Sequence, residues 1–331
     1  MVMRIAVLGA GAWGTALGVR LAAHVEISLW ARNAEQVRAL IEDGSNRRYL
    51  PGQNLPDAVI PVSDLAEATR DATYLIAAVP VVGLRSLFTC LQEHGTRVPL
   101  IWLSKGFESG SHRLPHQVLA EAWPAHPPSA VLSGPSFAQE VAAGLPVALT
   151  VASNDADFAR RIAQDLHDPM LRIYSGTDVI GVELGGAIKN VIAIAAGIAD
   201  GLGFGLNARA ALVTRGLAEM TRLGLKLGGR AETFMGLSGM GDLILTCTGE
   251  LSRNRQLGLR LAAGESLEGA LRGLGHVAEG ATTALELDKV AGETGIDMPI
   301  TAAVAAIIRQ DMPPREAVSA LLARGLKDEG V

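Results

Sequence analysis

Gly9-Ala10-Gly11-Ala12-Trp13-Gly14 is the stretch that decides the fold. It follows the apolar, β-branched run Ile5-Ala6-Val7-Leu8 directly and opens a helical pattern over residues 15–23. In a strand–G-x-G-x-x-G–helix unit each glycine has a separate task. The first permits the tight turn, the second lets backbone approach a pyrophosphate, and the third lets the helix pack close to the sheet. The free N–H groups and positive end of the helix then face the phosphates. The hexapeptide alone is a weak signal; the strand before it and the helix after it make it a strong one. The first expectation is a dinucleotide site at the first strand-to-helix turn.

Reading outward, the second strand, residues 25–30, runs into Ala31-Arg32-Asn33. A site that prefers NAD usually places an acid there, against the ribose 2′-hydroxyl. No carboxylate stands there, and Arg32 is placed to take a 2′-phosphate, so NADP(H) is favoured and NAD(H) is possible. Further β-branched runs follow at 58–62, 74–79, 100–103, 130–132 and 147–151, with helical patterns between them. Pro124-Ala125-His126-Pro127-Pro128 reads as a surface loop. Alternation of this kind builds a mostly parallel sheet wrapped by helices. After about residue 175 alanine, leucine and glycine take over at helical spacing. Helices are expected over 181–199, 208–227, 252–263, 282–294 and 301–310. The fold class is α/β: an N-terminal Rossmann-type doubly wound sheet, residues 1–177, then an all-α substrate and catalytic domain, residues 178–331.

Composition agrees. The 331 residues include 29 Lys and Arg against 34 Asp and Glu, a net charge of −5. That balance is unsuited to general binding of a phosphate backbone, so no nucleic-acid partner is expected. A hydrophobic share of 49% excludes disorder. Cys90 and Cys247 are too few and too far apart for a disulfide scaffold or a zinc site, and no metal is expected. The longest apolar run, residues 191–198, is far short of a membrane span and reads as a buried helix. Met1-Val2-Met3-Arg4 shows no signal-peptide pattern, so the expected setting is cytoplasmic. Glycine is in excess, 38 residues or about 11% against ~7% in average chains. Gly197, Gly201, Gly203 and Gly205 are expected to serve close helix packing.

Ligands in such sheets bind beyond the carboxyl ends of the strands. Ser104-Lys105-Gly106 and Ser133-Gly134-Pro135-Ser136-Phe137-Ala138 stand at two of those ends. Lys189 is the oddest residue: a lysine inside an apolar helix, followed by Asn190. Gly185 and Gly186, four and three residues before it, leave the adjacent helix face bare. A cleared face beside a buried amine suits a substrate. Ser252 is a good helix N-cap, and with Arg253 it could hold a dianion at the helix start. Asp242, after Gly239-Met240-Gly241, reads as an acceptor for a hydroxyl or an ammonium group.

Taken in order, the glycine turn with Thr15-Ala16-Leu17, Ser104-Lys105-Gly106, Ser133–Ala138, Gly185-Gly186-Ala187-Ile188-Lys189-Asn190, Gly239-Met240-Gly241-Asp242-Leu243, Ser252-Arg253-Asn254 and Glu279-Gly280 resemble the bacterial-type NAD(P)-dependent glycerol-3-phosphate dehydrogenases. The match runs over nearly the whole chain. The resemblance implies reversible reduction of dihydroxyacetone phosphate to sn-glycerol 3-phosphate, for glycerophospholipid synthesis. It implies Lys189 as proton donor and acceptor, with Lys105 and Asp242 beside it in the catalytic group. Substrate contacts would come from Lys105, Gly134, Ser136, Lys189, Asn190, Asp242, Ser252, Arg253 and Asn254. Nucleotide contacts would come from Gly9, Gly11, Ala12, Trp13, Gly14, Arg32, Lys105, Ala138, Arg253, Val277 and Glu279. Ala12 stands where the family often has serine, which removes one possible hydroxyl contact. An ordinary lysine titrates near ~10.4, high for a general base. Burial and the charge of Lys105 are expected to lower Lys189. A homodimer is possible through the helix at 208–227.

Overall fold

The computed structural model describes residues 3–275 and 279–323. Its strands are β1 (Arg4–Leu8), β2 (Glu26–Trp30), β3 (Val59–Val62), β4 (Tyr74–Ala77), β5 (Leu100–Trp102), β6 (Ser129–Ser133), β7 (Val147–Ala152) and β8 (Leu171–Gly176). The helices among them are α1 (Ala12–Leu21), α2 (Ala34–Asp43), α3 (Leu65–Thr69), α4 (Leu84–Glu93), α5 (Pro115–Ala122), α6 (Ala138–Ala142) and α7 (Ala156–Asp165). The strands form one sheet in the order β3-β2-β1-β4-β5-β6-β7-β8. All neighbours are parallel except β6 and β7. The chain leaves β1 on one side for β2 and β3 and returns on the other side at β4. That reversal opens a crevice at the carboxyl end of β1, where ligands of such sheets sit.

β4 is buried along its whole length, as expected for a parallel strand covered on both faces. One core lies on each face, around Ile5, Val7 and Leu29 on one side and Leu8, Phe88 and Trp102 on the other. The 124–128 loop lies between α5 and β6. β8 is the strand the residue pattern did not announce. Only Leu171 and Ile173 are buried in it, and Arg172 and Tyr174 face out. Two inward residues on an edge strand give too little alternation to stand out.

Beyond Gly176 the chain is helical: α8 (Val179–Gly201), α9 (Gly205–Lys226), α10 (Ala231–Phe234), α11 (Asp242–Thr248), α12 (Arg253–Ala262), α13 (Leu267–Leu274), α14 (Glu279–Thr294), α15 (Pro299–Arg309) and α16 (Pro314–Leu322). α8 is the axis of this half, and its residues from Gly181 to Ala199 are all buried. By length and apolarity alone it could cross a membrane, but its flanks are filled by the other helices. The crossing of α8 and α12 is glycine on glycine. A Cβ at Gly197 would stand 2.0 Å from the Arg255 carbonyl oxygen, and one at Gly258 would stand 2.1 Å from that of Ile194. At Gly201 it would stand 2.6 Å from the Ala262 Cβ. Gly203 and Gly205 do not serve packing. They have φ of +77° and +80° with open space around them, and they form the turn into α9.

A candidate active site at the crevice

The glycine turn is built as a cradle. Gly9 has φ +129°, and a Cβ there would stand 2.7 Å from the Ala78 carbonyl oxygen at the end of β4. A Cβ at Gly14 would stand 2.1 Å from the Gly9 oxygen and 2.9 Å from the Ala78 Cβ, so α1 lies directly on the strands. Gly11 differs: nothing lies within 4 Å of its Cβ position. It is the N-cap of α1, and no side chain caps that helix. Open space in front of an uncapped helix N-terminus suits a pyrophosphate. The side-chain amide of the buried Asn46 donates to the Ala10 carbonyl at 3.1 Å and the Thr15 hydroxyl at 2.7 Å. Gln36 Nε2 donates to the same carbonyl at 2.7 Å. These two residues fix the turn, and no spacing in the sequence ties them to it.

Around the cradle, Ala12 opens α1, and the Trp13 indole donates to the Ser136 carbonyl at 3.3 Å, which links α1 to the loop after β6. Arg32 is exposed just past β2. The neighbouring Asn33 is spent on capping α2. Ala138 opens α6. Gly134 has φ +142° and presses against the backbone of β7, where a Cβ would meet the Ala148 oxygen at 3.1 Å. The Ser136 hydroxyl turns back to the Gly134 carbonyl at 3.2 Å.

The centre is a carboxylate between two ammonium groups. Lys189 Nζ donates to Asp242 Oδ1 at 2.5 Å, and Lys105 Nζ donates to Asp242 Oδ2 at 2.7 Å. Lys189 also donates to the Thr246 hydroxyl at 3.0 Å, and that hydroxyl donates to the Asp242 carbonyl at 2.6 Å. Lys189, Asp242 and Thr246 are buried, and Lys105 is half-buried at the rim. Burial pushes the Asp242 carboxyl up, but the two lysines outweigh it and hold it below the ordinary range. Burial lowers Lys189, Asp242 opposes that and Lys105 adds to it, leaving the amine at about 8. Cys247, in the next turn, is pushed by burial up to about 12 and stays a thiol.

One expectation about this centre changes. Gly185 and Gly186 do not leave an empty face. A Cβ at Gly185 would stand 2.4 Å from the Ser238 carbonyl oxygen, so this glycine admits the π-helical turn Leu237–Gly241 that leads into Asp242. At Gly186 it would stand 3.2 Å from both the Lys105 Cγ and the Ser133 hydroxyl. The diglycine thus lets Asp242 and Lys105 reach Lys189. Asp242 itself begins α11, and it accepts from two ammonium groups. Read as a helix, Asp242 and Thr246 at i and i+4 share a face, which is the signal that would have found Thr246.

The Ser252 hydroxyl accepts from the Arg255 N–H at 3.2 Å as the cap of α12, and Arg253 is exposed at that helix start. The Asn254 side chain accepts from the Gly280 N–H at 3.1 Å. Asn190 is buried on α8, one residue from Lys189. Glu279 opens α14; its carboxyl is raised by burial, against the pull of Arg253, Lys105 and Lys189. Val277 lies outside the described residues.

An oxidoreductase built on a Rossmann-type sheet is the class that this arrangement defines. Comparison with known proteins supplies the rest. The family models for the NAD-dependent glycerol-3-phosphate dehydrogenase N-terminus and C-terminus match residues 4–159 and 178–319. The chain is 56% identical over 331 residues to glycerol-3-phosphate dehydrogenase (NAD(P)+) of Nitrosospira multiformis, with 99% of each chain covered. It is 54% identical over 327 residues to the enzyme of that name from Thiobacillus denitrificans, covering 99% of this chain and 100% of the relative. The crystal structure of glycerol-3-phosphate dehydrogenase from Coxiella burnetii superimposes with a TM-score of 0.94 at 41% identity, covering 98% of this chain and 99% of that one. The chain belongs to the NAD-dependent glycerol-3-phosphate dehydrogenase family.

Proposed function

We propose that the protein interconverts dihydroxyacetone phosphate and sn-glycerol 3-phosphate for glycerophospholipid synthesis in the cytoplasm, with Lys189 as the proton donor and acceptor. The observation that carries this is the buried lysine of pKa about 8 beside Asp242 and Lys105. A reduced nicotinamide dinucleotide, its pyrophosphate held at the Gly9–Gly14 turn, would supply the hydride for the carbonyl carbon. The protonated Lys189 stabilises charge on the carbonyl oxygen and gives up its proton there, becoming neutral; in the reverse direction the neutral amine takes the hydroxyl proton. Asp242 holds both lysines in place. Lys105, at the rim, also reaches toward substrate and nucleotide. Ser252, Arg253, Asn254 and the N-terminus of α12 receive the phosphate, helped by Gly134, Ser136 and Asn190. Gly11, Ala12, Trp13, Arg32, Ala138, Arg253, Val277 and Glu279 form the nucleotide side, and the exposed Arg32, with no acid in residues 30–33, favours NADP(H), NAD(H) remaining usable. The work divides between two domains, residues 1–177 for the nucleotide and 178–331 for the substrate.

The test is loss of NADPH absorbance, then of NADH absorbance, on adding dihydroxyacetone phosphate, with dihydroxyacetone as the control. Turnover should need the phosphate and be faster with NADPH. Lys189→Ala should abolish turnover while NADPH still binds, and near-normal turnover in that variant sinks the assignment. The apolar groove of about 620 Å³ between α9 and α15, with Phe204 and Leu212 on its walls, supports pairing of two copies. A monomer mass by sedimentation at assay concentration would end that part.

A further inference from the structure

Helix α14 runs from Asn254 past Gly106 to the Ser109–His112 turn. Gly280, Thr283 and Glu286 are three residues apart and share one side of it. At its start, the Gly280 N–H donates to Asn254 at the phosphate end, and a Cβ on Gly280 would stand 2.9 Å from the Asn190 carbonyl oxygen. One turn on, the buried Thr283 hydroxyl stands 2.8 Å from the Cβ position of Gly106, the residue after Lys105, whose φ is +134°. At the next turn the buried Glu286 carboxylate accepts from the Ser109 hydroxyl at 3.1 Å and pairs with His112 Nδ1. His112 has φ +58°, in the left-handed region that few residues other than glycine, asparagine, aspartate and histidine enter. Such a backbone persists only where its surroundings hold it.

The loop that carries Lys105 is therefore clamped to the helix that caps onto Asn254. Its other edge is fixed to the sheet side, where Arg85 grips Glu108 through two hydrogen bonds of 2.8 and 2.6 Å. We propose that Glu286 and His112 are positioning residues for the reaction: their pairing sets the distance between Lys105 and the phosphate cup of α12, so substrate meets amine and cup together. This rests on the substrate role proposed for Lys105. A displacement of about 1 Å at such a group is enough to cost on the order of 100-fold in rate when the contact is catalytic, and less when it only orients.

The experiment is steady-state kinetics on four variants of the full chain. Glu286→Ala should raise KM for dihydroxyacetone phosphate about tenfold, lower kcat less than threefold and leave the NADPH dissociation constant within twofold. Glu286→Gln keeps an acceptor for Ser109 and should recover most of that loss. His112→Gly removes the imidazole at a backbone where glycine is at ease, so it is the safer variant to fold and should show the same KM effect. Lys105→Ala reads the underlying assignment separately. If Lys105→Ala raises KM strongly while His112→Gly and Glu286→Ala leave it within twofold, the positioning role is wrong and the role of Lys105 stands. If Lys105→Ala is itself without effect, both fall. A proportional loss of kcat, substrate affinity and NADPH binding in His112→Gly would mark a purely structural clamp and overturn the proposal.

Discussion

Lys189 is expensive where it stands. Burial works against its charge, Asp242 supports it through a hydrogen bond, and Lys105 pushes the other way across the same carboxylate. The balance leaves it at about 8, below the ordinary lysine, so both protonation states are populated near neutrality. The sign of the pH dependence follows. With Lys189 in the proposed role, reduction uses the protonated amine and should be lost as pH rises through about 8; oxidation uses the neutral amine and should gain over the same interval. Asp242→Asn removes the charge that raises Lys189. The descending limb of kcat/KM for reduction should then move to lower pH, with a large loss of rate. A limb that stays at its wild-type position would show that another group titrates.

At the scale of the element, two glycines in one turn make opposite predictions. Gly14→Ala forces a methyl to 2.1 Å from the Gly9 oxygen, so α1 must lift from β1 and β4. Overpacking of this kind costs about 1–3 kcal/mol, read by denaturant unfolding. Gly11→Ala meets nothing at φ −80°, an ordinary value, so stability should stay within about 0.5 kcal/mol while NADPH affinity drops. Unchanged affinity in Gly11→Ala would place the pyrophosphate elsewhere. The roles of Gly9 in the tight turn and Gly14 in close packing were legible in the sequence because a strand, a turn and a helix are local. So was α8, since a long apolar helix announces itself by composition. β8 was not, nor was the helical start at Asp242. A glycine-rich run reads as a loop until the helix it packs against is known, and here Gly239 lies against the Phe234 backbone while Ser238 and Gly239 meet α8 at Gly185. Asn46 and Gln36 were also invisible: their partners lie 36 and 26 residues away, and nothing local in a polar side chain names a distant carbonyl.

At the scale of the molecule, the centre exists only when the two halves are docked. Lys105 comes from the loop after β5, while Lys189, Asp242 and Thr246 come from α8 and α11. Stability of the helical half is therefore a condition of the chemistry, and one buried group makes it depend on pH. Glu219 on α9 reaches across to the start of α15 and accepts from the Ile300 N–H at 2.7 Å and the Thr301 N–H at 3.2 Å. α15 has no cap from its own N-cap residue Met298, so Glu219 supplies one from a neighbouring helix. Burial nevertheless lifts the carboxyl from 4.5 to about 7, against the pull of those N–H groups. A folded state with the raised value binds the proton more tightly than the unfolded chain. Its contribution is thus complete below the unfolded value and is lost as pH climbs through about 7, a fall of about 3 kcal/mol in unfolding free energy across that window. Glu219→Gln keeps an acceptor oxygen for α15 and cannot titrate. It should be more stable than the parent at pH 8, and its advantage should shrink or reverse at pH 5. Urea unfolding at the two pH values checks this, and an equal difference between variant and parent at both would mean that Glu219 keeps one protonation state throughout.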